Sequence, residues 1–198
     1  MDTIMEIKHG KLTVIGDIDA LPEGALDKLI EAFDETYLKI WERFGEGEPF
    51  DVTYSIEPEY KGVAYTRHGK HVGLNPQWLV DHPEDVDCMT HELIHVAQHY
   101  PKYDFSWIVE GIADYGRDVF GVNNEAAKWK LPEKYKGAKM TAGYRSTAAF
   151  FKFIEANYCA DIIDIMHKAL RAQTFTMELF KEKTGYTIEE MWEAYTKA

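Results

Sequence analysis

Two histidines and a glutamate in one short segment are the residues best suited to chemistry. The segment reads His91-Glu92-Leu93-Ile94-His95. On a helix, positions i and i+4 share a face, so both imidazoles can bind one metal ion. Glu92 lies beside that face, where its carboxylate can take a proton from a water that zinc has made more acidic. We therefore predict a catalytic zinc site with Glu92 as the base; the alternative is a solvated helix face that carries two histidines.

A catalytic zinc ion usually has three protein ligands and one open position, so a third ligand is needed. His99 follows His95 by one turn, but three successive turns of one helix do not wrap onto a tetrahedral ion, and we expect His99 to be a helix-end residue. The next apolar segment offers Glu110 and Asp114, again four residues apart. Buried carboxylates are costly unless they are paired or bound to metal. We predict Glu110 as the third ligand and Asp114 as acceptor of the free ring N–H of His91; an ordinary pair of surface acids is the alternative.

The elements that must position these residues fall into two kinds along the chain. Residues 1–100 read as an α/β part and residues 101–198 as a helical part, in one domain of the α+β class with a small N-terminal sheet, a long helix, the active-site helix and a helical C-terminal half. The last helix has a capping box at Thr187 and Glu190. Strands are predicted within 5–19, at 50–56, 62–66 and 71–75, and helices at about 21–44, 84–100, 105–120, 141–158, 160–173, 176–185 and 187–198.

The composition limits the classes of function. The chain has 198 residues, with 22 Lys and Arg against 34 Asp and Glu, for a formal net charge of −12. Such a chain is poorly suited to binding nucleic acid or an anionic membrane by charge. The N-terminus shows no signal peptide, so we expect a cytoplasmic protein or a mature secreted form. The acidity otherwise indicates solubility, with a preference for cationic peptides as the alternative.

Several segments resemble, in the same order, the basic secretory protein family of plants and bacteria, a gluzincin branch of the zincin metallopeptidases. They are GVAYTRHGKHVGLNPQWL (62–79), HELIHVAQ (91–98), WIVEGIADYGR (107–117), GYRSTAAFFKFI (143–154) and TGYTIEEMWEAY (184–195). The resemblance spans about residues 50–198. It implies a zincin-like fold, a zinc peptidase with one Zn²⁺ per chain, and a peptide or protein substrate. It also maps His91, His95 and Glu110 to the metal ligands and Glu92 to the catalytic base.

Peptide hydrolysis needs a further hydrogen-bond donor for the developing oxyanion. Tyr144 is the first candidate because it opens a helix expected to line the cleft, with Arg145 and Tyr115 after it; a core tyrosine is the alternative for Tyr144. The hairpin at 62–75 could offer a strand edge to an extended peptide, or be a covered strand. His68 and His71 are assigned to the exposed turn of this hairpin rather than to the metal.

Two other functional classes stay open on the sequence alone. The chain could hold zinc and bind a peptide or a wall component without turnover, as a defence-related module. It could also be a helical interaction protein without a metal. The presence of Glu92 favours the enzyme, because a module that does not catalyse has no evident need for a base beside the two histidines.

Overall fold

The computed structural model describes residues 5–198 of the chain and has the predicted α+β class. Close to half of the chain is helical, and a small mixed sheet lies near the N-terminus. Within the described residues, no helix is long and apolar enough to span a bilayer. The strands are β1 (Met5–His9), β2 (Leu12–Gly16), β3 (Val52–Ile56), β4 (Ala64–Arg67) and β5 (His71–Leu74). The α-helices are α1 (Ala25–Phe44), α2 (Pro76–Asp81), α3 (Cys88–Gln98), α4 (Ser106–Phe120), α5 (Tyr144–Asn157), α6 (Ile162–Arg171), α7 (Glu178–Thr184) and α8 (Ile188–Lys197).

The chain divides into two compact units, each discontinuous in sequence. The sheet unit comprises the described residues up to His99 together with Val119–Trp129, and it holds the five strands and α1 to α3. The helical unit comprises Tyr100–Asp118 and Lys130–Ala198, and it holds α5 to α8 and all of α4 except its last two residues.

The sheet has the strand order β1-β2-β3-β5-β4. β2 pairs in parallel with β3, and α1 forms the crossover between them, as parallel neighbours require. β3 also pairs in parallel with β5, while β4 and β5 form the antiparallel hairpin that the sequence predicts. β4 is therefore a terminal strand with β5 as its one neighbour in the sheet.

Alternating apolar residues of the sheet and an apolar stripe on α1 make the core of the sheet unit. One face of the strands buries residues such as Tyr54 and Leu74, and α1 buries a stripe at helical spacing. α3 packs against α1, β4 and β5, which surrounds it with this core. The stripe on α1 includes Leu29, Phe33, Tyr37, Ile40 and Phe44.

The predicted start of the active-site helix is wrong by four residues. α3 begins at Cys88, so the acidic residues that the sequence places in its first turn precede the helix. The carboxylate of Asp87 instead accepts hydrogen bonds from the backbone N–H groups of Val122 (3.1 Å) and Asn123 (2.6 Å) and from the Thr90 hydroxyl (2.7 Å). A carboxylate used in this way ties the start of α3 to the segment after α4.

Two other boundaries also differ from the sequence prediction. α1 begins at Ala25 rather than Leu21, because Gly24 before it has a left-handed conformation with φ of 76°. α2 was not predicted at all, although Asn75 caps it by accepting the N–H of Gln77 (3.0 Å) and Pro76 occupies its first turn. The capping box at Thr187 and Glu190 is confirmed at the start of α8.

α4 and α5 approach each other closely at Gly111, as the absence of a side chain at this position allows. A Cβ at Gly111 would overlap the Thr147 side chain and lie 3.0 Å from Cε2 of Phe151. Both helices belong to the helical unit, and Ile108, Ile112 and the other apolar residues around the contact are fully buried. The contact fixes the position of the α4 face that carries Glu110.

Gly111→Ala is expected to lower the free energy of unfolding by about 1–3 kcal/mol, because overlap with Thr147 outweighs the better helix propensity of alanine. Denaturant unfolding measures this loss. Thr147→Ser removes the methyl group that the new Cβ would overlap most and keeps the hydroxyl near the Met140 carbonyl (3.4 Å). The Cβ of residue 147 would still lie 2.9 Å from the new methyl group, so the double variant should recover part of the stability. A single variant as stable as the wild type would contradict the close packing at Gly111.

Candidate metal centre

α3 is buried along its whole length, which excludes the solvated helix face considered from the sequence. All of its residues are buried, including His91 (8% exposed), Glu92 (7%) and His95 (7%). The apolar residues Leu93, Ile94 and Val96 between and beside them explain why the helix packs on all sides. Polar side chains in such a helix must find hydrogen-bond or metal partners.

The two histidines of α3 point the same ring nitrogen at each other. The Nε2 atoms of His91 and His95 lie 3.1 Å apart, and their ring centroids lie 4.9 Å apart. Two nitrogen ligands of a tetrahedral zinc ion, each at roughly 2.0–2.1 Å from the metal, lie about 3.3 Å apart. The spacing of the two nitrogens therefore fits a shared metal ion.

Gln98 orients the ring of His95. The Oε1 atom of Gln98 lies 2.9 Å from Nδ1 of His95, and both residues are buried. The contact uses the ring nitrogen of His95 other than the one that faces His91. Outer hydrogen bonds of this kind orient metal-binding histidines in known sites. Gln98 was not predicted from the sequence, although its i+3 spacing from His95 could have indicated it.

Glu110 joins the two histidines. One ligand atom from each of His91, His95 and Glu110 lies within 4.8 Å of the other two, and the group could hold a metal ion. Two imidazole nitrogens and a carboxylate oxygen are a donor set that zinc accepts. The residues predicted as ligands therefore fit the metal that the sequence implies.

Glu92 is held by a residue of the neighbouring strand. The hydroxyl of Thr66 on β4 lies 2.7 Å from Oε2 of Glu92 and 3.0 Å from the Glu92 carbonyl oxygen. No other side chain among residues 5–198 hydrogen-bonds the carboxylate, and in that range no buried side-chain oxygen or nitrogen lacks a partner. Thr66 was missed from the sequence because it lies 26 residues away from Glu92.

A neutral phenol lies near the start of α3 and adds no charge there. Burial raises the pKa of the Tyr54 phenol well above its ordinary value, the Cys88 thiol and the Tyr37 phenol add to this, and the nearby carboxylates of Glu92 and Asp87 raise it further. Tyr54 therefore stays protonated at physiological pH and does not compete with Glu92 as a base.

The first turn of α5 lies beside Glu110 and contains the predicted oxyanion residue. A Cβ at Gly143 would lie 3.7 Å from the Cβ of Glu110. Tyr144 comes next, with φ of 50°, a left-handed conformation that costs a bulky residue about 1–2 kcal/mol. Its side chain is 57% exposed, which excludes the alternative of a core tyrosine. Strain of this kind is concentrated at functional sites, and it favours a functional role for Tyr144.

The remaining residues considered from the sequence lie outside the group of three possible ligands. Asp114 is buried on α4, one turn after Glu110, and its predicted hydrogen bond to His91 stays a prediction. The hydroxyl of Tyr115 donates to Glu155 (2.7 Å), which commits its proton elsewhere. His99 ends α3 in a left-handed conformation with its ring 5.3 Å from that of Phe50, as expected for a helix-end residue. His68 lies in the exposed turn of the β4–β5 hairpin, as predicted. His71 does not lie in that turn: it is the first residue of β5, is half-buried, and its Nε2 lies 3.7 Å from Oε1 of Glu57.

The chain belongs to the basic secretory protein family, described as peptidase of plants and bacteria. The match covers residues 26–195, so it extends the resemblance found in the sequence to include α1. Membership of a family named for peptidase activity supports a peptidase role for this chain and peptide or protein substrates. Comparison with curated proteins finds no match.

Glu110→Ala is expected to weaken zinc retention far more than His99→Ala. Loss of an outer hydrogen-bond partner costs roughly 10–100-fold in metal affinity, and loss of a ligand should cost more. Competition with a chelator, followed by metal analysis, measures the retention. His99→Ala is the matched control, since it also removes a metal-capable side chain near α3. The opposite order of the two variants would exclude Glu110 as the third ligand.

Proposed function

We propose that this protein is a zinc-dependent peptidase of the zincin-like, gluzincin type, which hydrolyses peptide bonds with one zinc ion per chain. His91, His95 and Glu110 hold the ion and Glu92 is the catalytic base. The observation that carries the proposal is the convergence of two imidazole nitrogens and a carboxylate oxygen within 4.8 Å of one another. Glu92 follows His91 directly in the same buried helix. Membership of a peptidase family supports it.

A zinc ion held by His91, His95 and Glu110 would supply Lewis acidity, which polarises a scissile carbonyl and makes a water more acidic. Glu92 would take a proton from the attacking water and pass it to the leaving amine. Thr66 holds one oxygen of the Glu92 carboxylate, so the base is fixed in one orientation. Gln98 orients the ring of His95 through Nδ1.

Tyr144 is the proposed donor to the developing oxyanion. It is exposed, it follows the glycine that lies beside Glu110, and its backbone is held in a conformation that only surrounding structure can maintain. A phenol is a suitable donor because it is neutral at physiological pH and gives a single directed hydrogen bond. Arg145, which follows it, is exposed in the same turn.

The edge strand β4 gives the substrate a place to bind. A terminal strand presents unpaired backbone groups, to which an extended peptide adds as a further strand. β4 has one neighbour in the sheet, and its Thr66 side chain contacts the proposed base. A peptide paired with β4 would therefore pass close to Glu92. This supports hydrolysis of extended, unfolded segments.

Glu92→Gln should abolish hydrolysis of peptide or unfolded protein substrates and leave the zinc content near one ion per chain. The amide has the size of the carboxylate and still accepts from Thr66, but it cannot take a proton; loss of such a base typically costs 10²–10⁴-fold in rate. Metal analysis and peptide cleavage measure the two effects. Glu59→Gln is the control, the same change at an exposed position. Full activity in Glu92→Gln would overturn the mechanism. Zinc and peptide binding without hydrolysis in the wild type would support a binding module instead.

Thr66→Val should lower kcat by roughly 10- to 150-fold and leave KM and zinc content nearly unchanged. The change removes one hydrogen bond to a carboxylate, of about 1.5–3 kcal/mol, while the shape of the side chain is kept. Thr66→Ser, which retains the hydroxyl, should restore most of the activity. Thr53→Val on β3 is the control for loss of a strand hydroxyl. A purely structural role for Thr66 predicts lower thermal stability with no selective loss of kcat.

A further inference from the structure

A concave pocket in the helical unit is lined by positive side chains, although the chain as a whole is acidic. The pocket has a volume of about 520 Å³ and is formed by the segment 130–136 and the first turn of α5. Four of its lining residues are cations and one is a carboxylate. They are Lys130, Lys134, Lys136, Arg145 and Glu133.

Three positive charges of this pocket are not neutralised within it. Glu133 pairs with Lys130 at 2.6 Å, and the hydrogen bond and charge of Lys130, with a smaller effect of Lys136, hold the pKa of Glu133 below its ordinary value. Among residues 5–198, neither Lys134 nor Arg145 has a carboxylate oxygen within 4.0 Å. The local charge is therefore opposite in sign to the net charge of −12.

Aromatic and apolar packing anchors the pocket. Leu131 is buried, and the ring of Tyr135 packs against Trp192 (5.4 Å between centroids) and Tyr195 (6.2 Å) of α8. These contacts hold the segment that carries Lys130, Lys134 and Lys136 against the rest of the helical unit. On the other side, Arg145 and Ser146 belong to α5, a 14-residue helix whose N-terminal dipole adds to the positive potential.

The pocket and the proposed ligand Glu110 lie in the same helical unit, and the start of α5 links them. Gly143 lies beside Glu110, and Arg145 follows Gly143 by two residues, so the Cα atoms of Gly143 and Arg145 are at most about 7 Å apart. An extended peptide advances about 3.3 Å per residue. The distance from Gly143 to Arg145 therefore corresponds to at least two residues of an extended peptide.

We propose that this pocket is a substrate subsite that binds the carboxylate side chain of an Asp or Glu residue, about two to four positions from the scissile bond. The proposal rests on the peptidase function above and adds the class of substrate. A peptide carboxylate fits better than a nucleic acid, because the cations form one local group and the acidic remainder of the protein repels a polyanion.

Cleavage of matched peptides tests the subsite. Peptides of one neutral sequence are compared with Glu, Gln or Lys at each of the four positions on either side of the cleaved bond. The wild type should prefer Glu to Gln at one of these positions by roughly five- to tenfold in kcat/KM at low salt, and the preference should shrink as ionic strength rises. Equal rates for Glu and Gln at every position would overturn the proposal.

A pair of double variants assigns the preference to the pocket. Lys134→Glu with Lys136→Glu should abolish the preference for Glu, measured as the ratio of kcat/KM for the Glu and Gln peptides. Lys128→Glu with Lys139→Glu is the control, because it makes the same charge change at exposed lysines that flank the segment 130–136 in the sequence and do not line the pocket. An equal loss of preference in the control would assign the effect to long-range charge and overturn the subsite.

Binding to a variant that lacks the base separates failure of the subsite from failure of the function. Fluorescence anisotropy measures the affinity of Glu92→Gln for labelled Glu and Gln forms of the peptide. Tighter binding of the Glu form, lost on changing Lys134 and Lys136, would support the pocket even if the wild type cleaved no peptide, and only the peptidase function would then fail. Cleavage without any preference for charge would reject the subsite and keep the function. Short DNA that displaces the labelled Glu peptide when added at the same concentration as the peptide would also reject the peptide subsite.

Discussion

The burial of α3 is the constraint on which the rest of the site depends. A helix buried on all sides leaves its polar side chains no water, so each one must be paired within the protein or by a ligand. The pairs Thr90 with Asp87, Gln98 with His95, and Thr66 with Glu92 satisfy this requirement in the sheet unit. Each pair also fixes a rotamer. These hydrogen bonds offset the desolvation cost of the buried polar side chains. They also orient His95, one of the proposed ligands, and Glu92, the proposed base.

In the helical unit, the backbone rather than side-chain pairing positions the chemistry. Gly111 lets α4 and α5 touch, and Gly143, with φ of 74°, brings the start of α5 beside Glu110. Tyr144 then enters the helix in a left-handed conformation that tyrosine rarely adopts. The cost is carried by the packing of α5, whose Phe150 and Phe151 are fully buried. The proposed third ligand, the proposed oxyanion donor and the cations of the pocket therefore depend on one local packing arrangement.

What could be predicted from the sequence was what is encoded locally. The spacing of His91 and His95 places their nitrogens together through the helix period, and the β4–β5 hairpin and the capping box of α8 follow from adjacent residues. The start of α3 was missed because the Asp87 carboxylate bonds backbone groups 35 and 36 residues away. Thr66 was missed for the same reason. A contact such as that of Thr66 on β4 with Glu92 on α3 depends on how the helix packs against the sheet, and no local sequence pattern encodes this packing.

The net charge of the chain and the charge around one pocket also differ, because the second depends on which residues the fold brings together. The net charge of −12 disfavours polyanionic partners, yet it does not describe the surroundings of any one site. At physiological ionic strength, interactions between exposed charges are screened beyond about 8 Å. In the proposed subsite, a peptide carboxylate would therefore respond to the adjoining lysines and arginine more than to acids elsewhere on the surface. The cationic-peptide preference inferred from composition and the anionic preference inferred from position are opposite, and the range of screened electrostatics favours the second.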